Sequence, residues 1–220
     1  MDKKVALVGM IFIILIVAGT FTMNSLGENT KNANEDTIRI TDMTGREVVV
    51  PKKIDEVVGL GAGSLRLITY LDCTEKVVGV EEIERKEKHQ IGRPYILAHS
   101  ELSELPSIGP MHGGDPELIA AKNPDVIFWT YATAGDAEDL QEKTGIPVIA
   151  LKYGDLGAHR NTIYEGLDLM GKILDKEERA EEVVQYIKST IQDLNERTKD
   201  IPTKDKPEAY VGGVCYRGSH

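Results

Sequence analysis

From Thr37 onward, short runs of apolar residues alternate with segments in which apolar residues recur at helical spacing. Four runs are apolar with little polar alternation, which is typical of strands buried on both faces. They are residues 57–60, 77–80, 126–130 and 148–152. Strands that alternate with helices predict a parallel sheet covered on both sides, so the fold class is α/β with a Rossmann-like first lobe.

The remaining local signals fill the spaces between these strands. Residues 38–40 and 47–50 flank Thr44-Gly45 and predict a hairpin, and Asp115-Pro116-Glu117 is a strong helix start. Further helices are predicted at residues 64–72, 136–143 and 163–174. The charge run at residues 81–89 is interpreted as a solvated helical face or loop, and residues 90–114 as a long irregular segment.

A second long helix is predicted beyond residue 175. Asp175 and Glu178 resemble a capping box, and the apolar stripe that follows has helical spacing up to Leu194. A helix over residues 175–200 would reach roughly 39 Å, longer than a small domain needs. Residues 209–216 predict a strand with no partner in sequence, so we expect residues 201–220 to be the incomplete start of a second α/β lobe. The first lobe then covers residues 37–160, and the helical segment with its joining helix residues 161–200.

The N-terminal residues have the pattern of an export segment. Lys3 and Lys4 precede residues 5–23, which carry no charge and are long enough to span a bilayer. A retained membrane anchor is slightly preferred over a cleaved signal peptide for residues 1–23. The polar residues 24–36 predict a linker. We therefore expect an extracytoplasmic location for the folded part.

Charge and cysteine content narrow the classes of function. The formal net charge is −10 and the pI about 5.1, which argues against a nucleic-acid partner. Two cysteines, Cys73 and Cys215, define no disulfide framework. The histidines lack the spacing of a helical metal pair, so no metal ligands and no resident cofactor are predicted.

Candidate binding residues follow the predicted strands, because ligands of parallel sheets bind beyond the carboxyl ends of the strands. The first such loop is the small-residue turn Gly61-Ala62-Gly63-Ser64, at the start of a helix whose N–H groups favour an anionic or oxygen-rich ligand. It matches no phosphate-binding fingerprint, so it is either a compact connection or the rim of a cleft. Tyr131, Ala132 and Tyr153 follow two other strands and are candidates to pack a flat or chelated ligand.

Loop residues complete the candidate site. Met111 and His112 precede the capped helix at Asp115, and Arg93 beside Tyr95 is suited to a ligand carboxylate. Arg66 is the alternative arginine, but Arg93 is preferred because Arg66 lies one turn into its helix. Tyr216 and Arg217 follow the last predicted strand and would approach the ligand from the second lobe.

Three segments resemble, in order and spacing, the substrate-binding proteins of iron-siderophore, haem and cobalamin ABC importers. They are "ITDMTGREVVVPKKIDEVVGLGAGSLRLITYL", "LPSIGPMHGGDPELIAAKNPDVIFWTYA" and "TGIPVIAL". The resemblance covers residues 37–200 and implies two α/β lobes joined by a long rigid helix. It also implies docking to an importer permease through acidic surface residues. A typical bacterial member carries a lipidated cysteine after its signal, and this sequence has none there.

Together these features predict a non-catalytic binding protein, monomeric and anchored outside the membrane. It would capture an iron-siderophore or a related iron or cobalt chelate and present it to an ABC importer permease. Two alternatives stay open. One is a membrane-anchored metal-dependent enzyme of similar architecture, and the other is a docking module that binds no small ligand.

Overall fold

A computed structural model describes residues 36–86 and 93–208, together with the backbone of residues 214–215 and 218–219. Contacts divide the chain into two units, residues 1–181 and residues 182–220. The predicted export segment at residues 5–23 lies outside the described residues. Within the described ranges, no helix is long and apolar enough to cross a membrane.

The first unit opens with a hairpin and then alternates strands with helices. Its strands are β1 Thr37–Thr41, β2 Glu47–Pro51, β3 Val57–Leu60, β4 Val77–Gly79, β5 Val126–Thr130 and β6 Val148–Leu151. Its helices are α1 Ser64–Tyr70, α2 Glu82–Arg85, α3 Pro94–Ala98, α4 Pro116–Ala120, α5 Ala134–Thr144, α6 Arg160–Leu174 and the start of α7 Glu177–Thr198. Short 3-10 turns cover Thr74–Lys76 and Ser100–Glu104.

The central sheet has the order β4-β3-β5-β6, and all its pairings are parallel. Val57 pairs with Val77 on one side and with Val126 on the other, which sets β3 in the interior of the sheet. Every residue of β3 and β6 is buried, as the uninterrupted apolar runs predicted. The parallel α/β fold expected from the sequence is confirmed.

Local capping determines where the helices begin and end. The Asp115 carboxylate accepts from the N–H groups of Glu117 and Leu118, at 2.9 and 3.1 Å, and Pro116 occupies the first turn of α4. Thr133 and Asp136 form a capping box at the start of α5, and Gly145 ends that helix in the left-handed conformation with φ 71°.

The hairpin β1–β2 is fixed to the edge of the sheet by one acid and one arginine. The Asp42 carboxylate accepts from Thr44 and from the backbone of Arg46 and Ala150. The Arg46 guanidinium donates to Asp42 at 3.0 Å and to the Val148 carbonyl at 3.2 Å. We call this group, with Gln141, which accepts a further bond from Arg46 at 3.2 Å, the hairpin junction.

The region between β4 and α4 differs from the prediction. Residues 90–114 are not simply irregular, because α3 and a 3-10 turn form within them and bury Ile96 and Leu102. Val80 and Ser107 form a parallel bridge just beyond β4. The prolines of this segment had suggested a loop. Burial of the Ile96 and Leu102 side chains explains why regular structure forms here instead.

The second unit contains most of α7, a 3-10 turn at Thr203–Asp205 and two short strands. The strands, β7 Val214–Cys215 and β8 Gly218–Ser219, pair antiparallel. The strand predicted at residues 209–216 therefore falls largely outside the described residues. The assignment of residues 201–220 to a second lobe stays a prediction.

Candidate functional site

The small-residue turn after β3 is shaped by its neighbours in the fold. Gly61 and Gly63 have φ values of 78° and 93°, in the region that favours glycine. A Cβ at Gly61 would lie 2.5 Å from the Thr130 carbonyl oxygen, and one at Gly63 would lie 2.1 Å from the Tyr153 ring. The protein itself therefore excludes side chains here.

Ser64 is positioned by the sheet. Its side chain is buried, and its hydroxyl donates to the Phe128 carbonyl at 2.8 Å. The N-cap residue of α1 is Gly63, and no side chain caps this helix. The Ser64 hydroxyl instead links α1 to β5.

Two acids follow β4, and both are buried. Glu81 is 3% exposed and Glu84 8% exposed, so the interpretation of residues 81–89 as a solvated face is wrong for these two positions. The Glu81 carboxylate accepts from the backbone N–H groups of His112 at 2.7 Å and Gly113 at 3.1 Å. It thereby holds the loop before α4 against the end of β4. Burial raises the pKa of Glu81, and these backbone N–H groups oppose the rise.

Glu84 belongs to a second buried group, with Tyr95 and Arg93. The Tyr95 hydroxyl lies 3.1 Å from both carboxylate oxygens, and Arg93 Nε lies 3.6 Å from Oε2. Arg93 also donates to the Ile83 carbonyl at 3.0 Å. Burial raises the pKa of Glu84, while Arg93 acts in the opposite direction. Burial and the Glu84 carboxylate both raise the pKa of Tyr95, so this phenol stays protonated and donates.

Arg66 lies on α1 between two aromatic rings. Its guanidinium carbon is 4.8 Å from the centre of the Tyr153 ring and 5.8 Å from that of Tyr70. The Arg66 Nε is buried and has no hydrogen-bond partner among the described residues. The Tyr153 ring in turn lies 5.9 Å from the ring of Tyr131, which is 66% exposed.

These groups surround a cavity of about 230 Å³ at the carboxyl end of the sheet. We call it the cleft cavity. Residues predicted from the sequence form much of its lining, namely Gly61, Ala62, Gly63, Arg93, Tyr95, Met111 and Tyr153. The remaining lining residues are Arg66, Glu81, Ile83 and Glu84. The structure thus brings these predicted residues together, and their role in binding stays a prediction.

Other predicted residues lie outside the lining. Ser64 is buried behind the turn, and His112 is exposed with φ 73°, contributing its backbone N–H to Glu81. Tyr131 has φ 65° and is exposed just after the carboxyl end of β5, while Ala132 packs against the core. Tyr216 and Arg217 fall outside the described residues.

The sequence did not indicate the two buried acids, and it favoured Arg93 over Arg66 as the ligand-binding arginine. Glu81 and Glu84 stand in a run of charged residues that resembles a solvated surface. The apolar Ile83 between them, which is also buried, was the signal that this run has a buried face. Arg66 was set aside because of its position on α1, yet Arg93 is the arginine already paired with protein groups.

The chemistry that this arrangement supports is recognition by charge and hydrogen bonding. The cavity offers guanidinium donors, a phenol, aromatic faces and backbone of the small-residue turn. Within the residues that the structure describes, no group of three or more His, Cys, Asp or Glu side chains is placed to hold a metal ion.

Comparison with known proteins adds the family context. Residues 57–214 match the family described as "Periplasmic binding protein". The molybdate-binding protein MolA of Haemophilus influenzae is 26% identical in a match covering 78% of this chain and 53% of MolA. This chain therefore spans about half the length of that relative.

Solved structures show the same fold. MolA bound to molybdate has a TM-score of 0.63 at 22% identity, with 76% of this chain and 56% of that chain covered. A periplasmic solute-binding protein of Veillonella parvula has a TM-score of 0.62 at 25% identity, covering 76% and 50%. The petrobactin-binding protein YclQ of Bacillus subtilis has a TM-score of 0.60 at 21% identity, covering 75% and 54%. The matched relatives are binding proteins.

Proposed function

The chain belongs to the periplasmic binding protein family, and from this premise we propose that it supplies a ligand-binding lobe of an extracytoplasmic solute-binding protein. The solute is a metal chelate, of the iron-siderophore class, that the protein delivers to the permease of an ABC importer. The protein acts without catalysis and as a monomer. Residues 1–23 hold it at the outer face of the membrane.

The cleft cavity is the observation that carries this proposal. It lies at the carboxyl ends of parallel strands, where ligands of such sheets bind, and its lining combines charge with aromatic faces. Its volume, about 230 Å³, is below the roughly 300 Å³ at which sites for drug-sized ligands begin. We therefore expect a second lobe to provide the other half of the site and to close over the ligand.

A bare oxyanion is the second candidate solute. The relative MolA, at 26% identity, is named as a molybdate-binding protein. A small oxyanion also suits the small cavity better than a whole chelate does. A siderophore chelate and a bare oxyanion both present anionic oxygen atoms. They differ in size, and only the chelate contains organic chelating groups.

Binding to the full chain tests the proposal. Trp129, the single tryptophan, lies in β5 beside the small-residue turn, so its fluorescence reports ligand at the cleft cavity. We expect quenching by a ferric siderophore to be saturable, and haem, cobalamin and molybdate serve as competing probes. Saturation by none of these probes would contradict the proposed function.

Two leucine substitutions, each at an alanine, test where the ligand binds. Ala62 lines the cleft cavity, and Ala98 is exposed on α3 outside that lining. Ala62→Leu should fill part of the cavity and weaken binding at least tenfold, whereas Ala98→Leu should bind as the parent does. Equal affinities of the two folded variants would place the ligand elsewhere. Ala62 is preferred to Gly63 for this test, because a side chain at Gly63 collides with Tyr153 whether or not ligand is present.

A further inference from the structure

Four charged side chains line the cleft cavity, and three of them already have partners in the protein. Glu81 accepts from the N–H groups of His112 and Gly113. Glu84 is held by the Tyr95 hydroxyl and by Arg93, which also donates to a backbone carbonyl. These groups stabilise the walls of the cavity, and each already has hydrogen-bond or ion-pair partners in the protein.

Arg66 differs from the other three. Among the described residues it forms no ion pair, and its Nε is buried without a hydrogen-bond acceptor. A buried donor without an acceptor is unfavourable, and a guanidinium presents five donors in a fixed plane. The stack on Tyr153, at 4.8 Å, holds that plane in place before any ligand arrives. Arg66 is therefore both available and oriented.

The other polar lining groups are engaged within the protein. Tyr95 stays protonated and gives its hydrogen to Glu84, and the two carboxylates face protein donors. Among the charged side chains of this lining, Arg66 is thus the one with no hydrogen bond or ion pair to the described residues. A cation in the cavity would be repelled by the Arg66 guanidinium, whereas anionic oxygen atoms would form charge-assisted hydrogen bonds with it.

Resting on the proposed function, we propose that Arg66 is the specificity-determining residue of the lobe and selects solutes by an anionic oxygen group. The substrate class is an oxyanion or a chelate with net negative charge at its oxygen atoms. The anionic oxygen accepts hydrogen bonds from the guanidinium, while Tyr153 supports the opposite face of that group. Neutral chelates of the same metal are discriminated against.

Three probes of defined charge test this inference on the full chain by Trp129 fluorescence. Ferric tris-catecholate and molybdate are anionic, and a ferric trihydroxamate is neutral. We expect the parent to bind at least one anionic probe ten times more tightly than the trihydroxamate. Arg66→Met should lose that preference, and Arg66→Lys should retain part of it because the charge remains but the planar fork does not. The two anionic probes distinguish a chelate from a bare oxyanion.

The matched control is Arg85→Met. Arg85 is exposed on α2 and does not line the cleft cavity, so this variant removes the same charge nearby and should keep the preference for anions. If Arg66→Met binds the probes with the same affinities as the parent, this inference is wrong and the proposed function is unaffected. The same holds if the parent binds the neutral probe as tightly as the anions. A parent that binds none of the probes would overturn the proposed function and this inference with it.

Discussion

The hairpin junction and the cleft cavity each place an arginine beside buried polar groups, but they satisfy it differently. At the junction, Arg46 donates to a carboxylate, an amide oxygen and a backbone carbonyl, all within 3.2 Å. In the cavity, the Arg66 Nε is buried with no acceptor among the described residues, and the guanidinium rests on aromatic rings. The first arginine joins two parts of the fold, and the second is held in place without a partner.

The difference shows how structural and ligand-facing charges can be told apart in a protein of this kind. Burial alone does not separate them, since the Asp42 carboxylate and the Arg66 Nε are both buried. Satisfaction of donors and acceptors does separate them, because a group whose bonds are complete within the protein has little left to offer a solute. The comparison therefore predicts large stability effects at the junction and large binding effects in the cavity.

The largest stability effect is expected for Asp42→Ala. The change leaves the Arg46 guanidinium, whose side chain is 15% exposed, without its buried counter-ion, and removes acceptors for Thr44 and Ala150. Loss of one partner of a buried pair costs about 3–5 kcal/mol, so the free energy of unfolding in urea should fall by that amount. Asp55→Ala, at an exposed ion pair, is the control and should change the free energy of unfolding far less. Similar losses for the two variants would break the comparison.

A smaller effect is expected for Gly63→Ala, which tests how the fold positions Arg66. The substitution places a methyl group against the Tyr153 ring at a position with φ 93°. Backbone strain of this kind costs about 1–3 kcal/mol, and the collision adds to it. In a Tyr153→Ala background the collision disappears while the strain remains. A double-mutant cycle of unfolding free energies should therefore give a favourable coupling of about 0.5 kcal/mol or more. A coupling of zero would mean that Tyr153 does not support the turn.

The smallest effect concerns the pH dependence of stability. Because burial raises the pKa of Glu81, the folded chain binds this proton more tightly than the unfolded chain does. The contribution of Glu81 is thus fully present below the ordinary pKa of glutamate and is lost as pH rises through the raised value. Glu81→Gln keeps an acceptor for His112 and Gly113 but has no such proton. In urea titrations across this pH range, its unfolding free energy should fall less than that of the parent.

Glu82→Gln is the control for this measurement, because Glu82 is exposed at the start of α2. Its pH dependence should follow that of the parent. If Glu81→Gln also follows the parent, Glu81 is not desolvated in solution, and the description of the cavity wall is wrong.

The fold was predictable because its signals are local. The apolar runs at β3, β5 and β6 and the capping residues Asp115 and Gly145 act within a few residues of sequence. The order within residues 93–114 was not predictable, since it depends on the burial of Ile96 and Leu102, which their spacing in the sequence does not indicate. The local sequence pattern predicts the secondary-structure elements, whereas tertiary packing determines which of the connecting segments become ordered.

The candidate site was predictable only where backbone determined it. The sheet edge and the small-residue turn follow from strand order, so Gly61, Ala62 and Tyr153 could be placed. The availability of a charge could not be, because it depends on pairings such as Arg93 with Glu84, which no spacing in the sequence indicates. For this reason the sequence favoured Arg93, although Arg93 has partners in the protein and the Arg66 Nε has none among the described residues.

The most direct test of the account compares the unfolding free energies of Arg46→Met and Arg66→Met in urea. Arg46→Met should lose roughly 3–5 kcal/mol, because Asp42 is left buried without its ion pair. Arg66→Met should stay within about 1 kcal/mol of the parent, since the lost stacking is offset by removal of an unsatisfied buried donor. A loss at Arg66 as large as that at Arg46 would contradict the account, because Arg66 would then be a structural residue.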